Sequence, residues 1–326
     1  MGRVEKLKAL LTGATGFVGS NLLRALVSND YETHVTIRKD SNIWRIRDVI
    51  DQIELHYCDL TDQERVRQLV HEIRPQLIFH LATYGATPSQ KAKITIMNAN
   101  LMGTINLLDA CVEAGFECFI NTGSSSEYGV KLEPMKETDV LEPVDDYGVS
   151  KAAATLYCQS IAKNRNLNIL TLRLFSPYGY FEDPDRLVPY LIRSCLNDEP
   201  VVLHNPKAVR DFVFIEDVVN AYLSAVNSAG KVTSGEIFNV GSGRQHSVKD
   251  IFDIVKRNTH YEKEAIVGNS KSGMRPGDKA IIWEAEITKI RKALGWEARR
   301  TLSEGIKKTV AWFKDYLLKS TFYERP

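Results

Sequence analysis

Leu11-Thr12-Gly13-Ala14-Thr15-Gly16-Phe17-Val18-Gly19 is the stretch on which the reading of this chain turns. An apolar run, Lys8 to Thr12, leads into it and a helical pattern, Gly19 to Ser28, follows it, which is the context a GxxGxxG pattern needs before it signifies a dinucleotide site. Gly13 permits a tight turn, and Gly16 removes a side chain where a pyrophosphate must lie. Gly19 lets the helix pack close to the strand while its free N–H groups face an anion. Such a loop speaks for dinucleotide binding and is silent on catalysis.

Outward from the loop, short β-branched runs alternate with helical stretches as far as residue 175. The strands expected are Lys8 to Thr12, His34 to Ile37, Ile53 to Tyr57, Leu77 to Leu81, Cys118 to Thr122 and Asn168 to Leu174. The helices expected between them include Gly19 to Ser28, Asp62 to Glu72, Ala92 to Ala114 and Ser150 to Asn164. This alternation predicts an α/β fold, a Rossmann-type doubly wound parallel sheet. Beyond it Pro177, Pro184, Pro189, Pro200, Pro206 and Pro276 interrupt shorter elements. Residues 1–175 are therefore expected to form a dinucleotide-binding domain and residues 176–326 a smaller α/β substrate lobe over the carboxyl ends of the strands, with elements interleaved between the two.

Composition narrows the partners. The 326 residues carry 42 Lys plus Arg against 41 Asp plus Glu, so no global field draws the chain to nucleic acid or an acidic membrane, and an anionic ligand must be caught by local groups. Cys58, Cys111, Cys118, Cys158 and Cys195 are widely spaced and without a CxxC or CxxH pair, which points to reduced thiols and a cytoplasmic protein. The histidines lack metal-ligand spacing, and no metal is expected. Charge enters early in the first residues, no apolar run is long enough to span a bilayer, and neither a leader nor a membrane anchor is expected.

At the end of the second strand a carboxylate would hold the ribose 2′-hydroxyl of NAD, whereas a cation favours the extra phosphate of NADP. That position reads Ile37-Arg38-Lys39-Asp40-Ser41. An Arg fork grips a phosphate dianion, so Arg38 and Lys39 favour NADP(H), with Asp40 able to neutralise part of the patch. Further on, Tyr147-Gly148-Val149-Ser150-Lys151 opens a helical pattern in which Tyr147 and Lys151 share a face one turn apart. An ammonium beside a phenol favours the phenolate and is expected to bring its pKa down from about 10 toward neutrality, where proton exchange with a sugar oxygen is feasible. Asn121-Thr122-Gly123-Ser124-Ser125-Ser126-Glu127-Tyr128-Gly129 follows a strand and offers hydroxyls to the same oxygen, though serines beside glycines also build ordinary turns.

With the glycine loop, the serine loop and YxxxK in place, the chain closely resembles the extended short-chain dehydrogenase/reductase family of nucleotide-sugar epimerases, dehydratases and reductases. Cys58-Asp59-Leu60, His80-Leu81-Ala82, Asn100 to Asn106, Arg173 to Gly179, Arg210 to Asp217 and Asn239-Val240-Gly241 extend the match over almost the whole chain. The resemblance implies a catalytic set of Ser124, with Ser125 second in line, Tyr147 as general acid/base, and Lys151 holding the nicotinamide ribose. It further implies that Thr15, Phe17 and Val18 line the cofactor along with the glycines, that Asp59 and Leu60 flank the adenine, and that Leu81, Ala82, Thr83, Thr122 and Phe175 line the path to the nicotinamide. Ser124, Ser125, Ser126, Tyr147, Ser176, Arg186 and Leu187 would then meet the substrate, and Arg210 and Arg275 would neutralise the diphosphate of a nucleotide sugar. Ser176 stands where many relatives carry Asn. A homodimer through the helices 92–114 and 150–164 is the family habit.

The reaction is narrowed by what is missing. Dehydratases of the family place carboxyl groups just after the catalytic Ser/Thr, and here Ser125 and Ser126 stand there with Glu127 displaced by one position. The Gly-Ser-Ser-Ser-Glu-Tyr-Gly loop resembles that of the NDP-4-keto-6-deoxy-hexose 4-reductases. NADPH-dependent reduction of an NDP-4-keto-6-deoxy sugar is the leading expectation. An NAD-dependent NDP-sugar 4-epimerase and a non-enzymatic NADP-binding sensor or scaffold are the alternatives, the last disfavoured by an intact Ser124, Tyr147 and Lys151.

Overall fold

The computed structural model describes residues 6–87, 89–268 and 281–319. The strands among the described residues are β1 Lys8–Thr12, β2 Glu32–Ile37, β3 Glu54–Tyr57, β4 Leu77–His80, β5 Cys118–Ser124, β6 Ile169–Leu174, β7 Ser176–Tyr178, β8 Val202–Leu203, β9 Val209–Phe214, β10 Ile237–Val240, β11 Gln245–Ser247 and β12 Ile266–Val267. The helices are α1 Phe17–Ser28, α2 Gln63–Ile73, α3 Lys93–Met97, α4 Gly103–Ala114, α5 Asp146–Arg165, α6 Leu187–Leu196, α7 Ile215–Asn227, α8 Val248–Thr259, α9 Thr288–Leu294 and α10 Leu302–Lys319.

Seven strands form one sheet in the order β10-β6-β5-β4-β1-β2-β3, every neighbouring pair parallel. Strands such as β4 (LIFH) and β6 (ILTLRL) are buried throughout, because helices cover both faces and leave no solvated side to alternate toward. The chain departs in opposite directions from the neighbouring strands β1 and β4, so the crevice at their carboxyl ends is the switch point where open α/β sheets take their ligands. β10 lies beyond residue 175, so a first unit ending there draws its seventh strand from the second. The later chain adds a three-stranded sheet, β11-β9-β7, and the pair β12-β8.

The helix ends follow local chemistry. Asp62 caps α2 by accepting the Arg65 N–H at 3.1 Å, and Asp145 caps α5 by accepting the Gly148 N–H at 2.7 Å. α5 thus begins at Asp146, four residues before the expected Ser150, and places Tyr147 in its first turn. The single helix expected over Ala92 to Ala114 is divided: α3 passes into a π turn at Asn98–Met102 before α4 resumes. Asn100, in the π turn, is fully buried and hydrogen-bonded to Tyr84 and Ser150. All five cysteines are free and buried, and among the described residues no helix is long and apolar enough to cross a membrane.

Candidate active site

The glycine loop forms a cradle from three backbone segments. Gly13 sits at φ +74°, and its carbonyl accepts the Gly16 N–H at 3.0 Å. A Cβ on Gly13 would come within 2.6 Å of the Ala82 nitrogen, and one on Gly19 would be driven into the Gly13 carbonyl, so both positions demand the absence of a side chain. α1 starts at Phe17 behind Gly16 with no side-chain cap, which leaves its first-turn N–H groups to an outside acceptor. The Thr15 carbonyl is fixed by the Arg45 guanidinium at 3.3 Å.

At the end of β2, Ile37 is buried where an NAD-binding carboxylate would stand, and Arg38 and Lys39 are exposed. Arg38 donates from Nε to Asp40 at 3.1 Å and from its backbone N–H to Ser41 Oγ at 3.0 Å, an arrangement that shares its charge with one carboxylate. Asp59 is exposed after β3, accepting both the N–H and the hydroxyl of Thr61 at 2.9 and 2.8 Å, and Leu60 beside it is buried.

Beyond β4 and β5 the reactive hydroxyls meet. Ser124 ends β5 and is buried, Tyr147 projects from the first turn of α5, and the side chains of Ser124 and Thr83 lie close enough to the Tyr147 phenol to pull its pKa down. A Cβ on Gly148 would come within 2.6 Å of the Ser126 carbonyl, so glycine at that place lets the serine loop lie against the start of α5. Lys151 is buried one turn further along. Burial pulls the Lys151 pKa down and Glu127 opposes it.

The electrostatics of Tyr147 correct the sequence-based expectation. Its pKa lies above the ordinary phenol value; burial is the largest cause, opposed by the bonds from Ser124 and Thr83 and by the charge of Arg186. The cation acting on the phenol is therefore Arg186, distant in sequence, and the phenol is protonated at neutral pH. The spacing of Tyr147 and Lys151 could not reveal burial, which is a tertiary property.

Three supports for this cluster lie in stretches quoted from the sequence but were given no supporting role there. The first is Asn100 in the π turn, fully buried: its Oδ1 accepts the Tyr84 N–H at 2.7 Å and the Thr83 hydroxyl at 3.1 Å, while its Nδ2 donates to the Tyr84 carbonyl and to Ser150 Oγ, each at 2.8 Å. Holding all four bonds requires the helix to widen there, a recurrent use of π turns at functional sites. The second is His80, buried between Thr12 Oγ1 and Thr104 Oγ1 at 2.8 Å each. Thr104 donates its hydroxyl to the Asn100 carbonyl at 2.6 Å, so it accepts from His80 Nε2, and Nδ1 accepts from Thr12. Thr12 Oγ1 in turn accepts the Leu81 and Ala82 N–H groups at 3.2 and 3.1 Å, tying the cradle to Asn100 through a neutral imidazole. Burial drives the His80 pKa down to about 3, with Lys151 adding to it.

The third is Glu127, wholly buried. Its carboxylate accepts the Ser124 N–H at 2.8 Å, the Thr155 hydroxyl at 3.0 Å and Arg173 Nε at 2.7 Å, and Arg173 is itself 1 % exposed. Arg173 also donates to the Tyr128 hydroxyl at 3.0 Å, which donates to Asn239 Oδ1 at 2.7 Å. Glu127 thereby holds the Ser124 N–H in place and is paired with Arg173. Its acidic character and the match Arg173 to Gly179 were visible in sequence; their pairing was not.

The remaining expected residues scatter more widely. Ser125 is buried with its Oγ accepting Trp283 Nε1 at 3.1 Å, and the Ser126 N–H donates to Ser124 Oγ at 3.1 Å. Thr122 bonds the Tyr222 hydroxyl at 2.7 Å, and Phe175 is buried beside Tyr128. Ser176 opens β7, and Arg186 and Leu187 stand at the start of α6. The Arg210 guanidinium lies 4.7 Å from the Trp283 ring centre. Arg275 falls outside the described residues. Among the described residues no group of three or more His, Cys, Asp or Glu is placed to hold a metal.

Comparison with known proteins places these features in a wider set. The model of the NAD dependent epimerase/dehydratase family matches residues 9–241, more than half of the chain. The chain is 25% identical to the dTDP-glucose 4,6-dehydratase of Salmonella typhimurium over 94% of its own length and 92% of that protein. The UDP-glucose 4-epimerase of Thermotoga maritima, solved with UDP-glucose, superimposes with a TM-score of 0.86 at 27% identity, covering 95% of this chain and all of that one. The Thermus thermophilus UDP-glucose 4-epimerase, solved with NAD, gives 0.80 at 26% identity over 94% of this chain and 99% of its own.

Proposed function

This chain belongs to the NAD dependent epimerase/dehydratase family, and on that premise we propose that it moves a hydride between a nicotinamide dinucleotide and a carbon of a nucleotide-activated sugar. The observation that carries the reading is the meeting of the Tyr147, Ser124 and Thr83 hydroxyls beyond the carboxyl ends of β4 and β5, next to the glycine cradle. The dinucleotide, when bound, supplies or takes up the hydride. Gly13, Gly16 and Gly19 hold its pyrophosphate against the first-turn N–H groups of α1, with Asp59 and Leu60 toward the adenine and Lys151 toward the nicotinamide ribose.

Within that class the first choice is reduction of an NDP-4-keto-6-deoxy sugar with NADPH. A Tyr147 phenol held protonated is poised as an acid: it gives its proton to the carbonyl oxygen as that oxygen gains charge, while Ser124 donates a hydrogen bond to the same oxygen. The phenolate left behind is stabilised by the charge of Arg186 until solvent returns a proton. Dehydration is disfavoured because Glu127 is locked to Arg173 and Ser125 and Ser126 supply no carboxyl group. Buried Ile37 followed by Arg38 and Lys39 supports NADPH over NADH. Arg210 and Arg275 take the diphosphate in this reading, and Ser176, Arg186 and Leu187 flank the sugar.

The second reading, an NAD-dependent 4-epimerase, draws support from the likeness to the two UDP-glucose 4-epimerases and from Asp40 sharing the charge of Arg38. One experiment separates them: purified protein is incubated with NADPH or NADH and a set of NDP-4-keto-6-deoxy sugars, and separately with UDP-sugars and no added cofactor. NADPH oxidation supports the reductase. Its absence with every keto sugar rejects that reading, and interconversion of UDP-sugars on co-purified NAD supports the epimerase. A homodimer is part of the proposal, since Ile94, Met102, Val149 and Leu156 on the helices α3 to α5 and the π turn are 73%, 43%, 42% and 53% exposed. Sedimentation of the protein and of a Leu156→Glu variant tests it.

A further inference from the structure

The serine loop is gripped from the second lobe by a single indole. Trp283 is buried at 5%, its Nε1 donates to Ser125 Oγ at 3.1 Å, and Ser125 opens the short turn that follows Ser124. The Arg210 guanidinium stands 4.7 Å from the ring centre of the same indole. Trp283 is itself fixed by the later chain. Its N–H donates to Gln245 Oε1 at 2.8 Å, and two residues on, the Ala285 N–H donates to Asp211 at 3.0 Å. Asp211 also accepts the Ser242 N–H and hydroxyl, each at 2.6 Å, and the Gly243 N–H at 3.0 Å, so the strand bearing Arg210 and the segment bearing Trp283 are one framework.

We propose that Trp283 is a positioning residue that couples the diphosphate arm at Arg210 to the catalytic serine loop, setting Ser124 in line with Tyr147 through the bond to Ser125. This rests on the reading of Arg210 as a diphosphate ligand. An anion drawn to Arg210 changes how its charge sits over the indole, and a cation held against an aromatic face feels that change directly. The indole's only polar atom faces Ser125, whose turn continues into Glu127 and the Ser124 N–H. The coupling runs through two contacts of named geometry, and each can be removed alone.

Trp283→Phe keeps a ring under Arg210 and removes the N–H donor, whereas Ser125→Ala removes the hydroxyl that accepts it. Each single change is expected to lower kcat by about five- to tenfold, the effect of one net hydrogen bond, and in Trp283→Phe the KM for the nucleotide sugar is expected to stay within about twofold of the parent. The double variant is expected to be no slower than either single one, because both cut the same link. Trp283→Leu, which also removes the ring, adds a rise in KM. Full kcat in Trp283→Phe, or losses that multiply in the double variant, would overturn the proposal.

A second measurement stands apart from turnover. The indole N–H resonance of Trp283, identified by its loss in Trp283→Phe, is expected to shift in Ser125→Ala and, in the unaltered protein, on titration with UDP. Absence of a shift in Ser125→Ala overturns the link itself, and absence of a shift with saturating UDP overturns the coupling to the diphosphate arm. A protein that turns over no nucleotide sugar yet shows both shifts loses the proposed activity and keeps the coupling.

Discussion

Glu127→Gln is the perturbation on which the account of the serine loop can be judged. The substitution preserves shape, and the amide oxygen can still accept from Ser124 N–H and the Thr155 hydroxyl, now at 2.8 and 3.0 Å. What changes is the side toward Arg173. An amide NH₂ replaces the carboxylate oxygen that accepts Arg173 Nε at 2.7 Å, so two donors face each other and a guanidinium that is 1% exposed loses its counter-charge. Breaking one partner of a buried pair costs about 3–5 kcal/mol, and the two retained bonds place the expected loss near the lower bound. Urea unfolding followed by tryptophan fluorescence measures it as the fall in the product of midpoint and slope. Turnover should fall in the folded variant too, because the Ser124 N–H is positioned by the same side chain. Glu127→Leu combined with Arg173→Met, which removes both charges, should recover most of the stability and little of the activity, since the Ser124 N–H is left without its acceptor. A Glu127→Gln protein as stable as the parent to within about 1 kcal/mol would refute the structural assignment, and loss of turnover at full stability would give Glu127 a part in the chemistry itself.

Replacing Tyr147 by Phe should reduce kcat by at least about a hundredfold while dinucleotide affinity, measured by calorimetry, stays near that of the parent; a sensor or scaffold would keep its output unchanged. Gly19→Ala places a methyl group against the Gly13 carbonyl, which is backbone and cannot swing aside, so dinucleotide binding should be lost before folding is, as seen by comparing calorimetry with a thermal melt. His80 is neutral in the fold with a pKa of about 3, against 6.5 when exposed; only the unfolded chain takes up its proton as pH falls below 6.5. Stability should therefore be complete above that pH and decline by up to about 1.4 kcal/mol per unit as pH falls toward the folded value. His80→Gln should show a shallower decline between pH 6.5 and 4 in urea titrations, and an identical slope would sink the assignment.

Much of the molecule was legible from local pattern. Strand and helix periods are set by residues near one another, so β1 was placed to the residue and the other expected strands to within a residue or two, along with the parallel sheet they build. The glycine loop was legible because close backbone approach excludes a side chain whatever the rest of the chain does. Tyr147 and Lys151 fall on one helix because a capping Asp145 stands just ahead of them. Ala92 to Ala114 read as one helix since nothing in its own composition announces a π turn; the demand comes from Tyr84 and Ser150, which meet Asn100 only in the folded chain.

Sequence alone thus determined the six strands up to Leu174, their order and the chemical types at the strand ends, because these depend on short-range sterics and periodicity. Tertiary structure decided the charge state of Tyr147, the commitment of Glu127 to Arg173, and the contact of Trp283 with Ser125. Burial and the identity of a buried group's partner arise from residues brought together across 46 or 158 positions of chain, and no local pattern records which of many chemically equal candidates the fold will bring into contact.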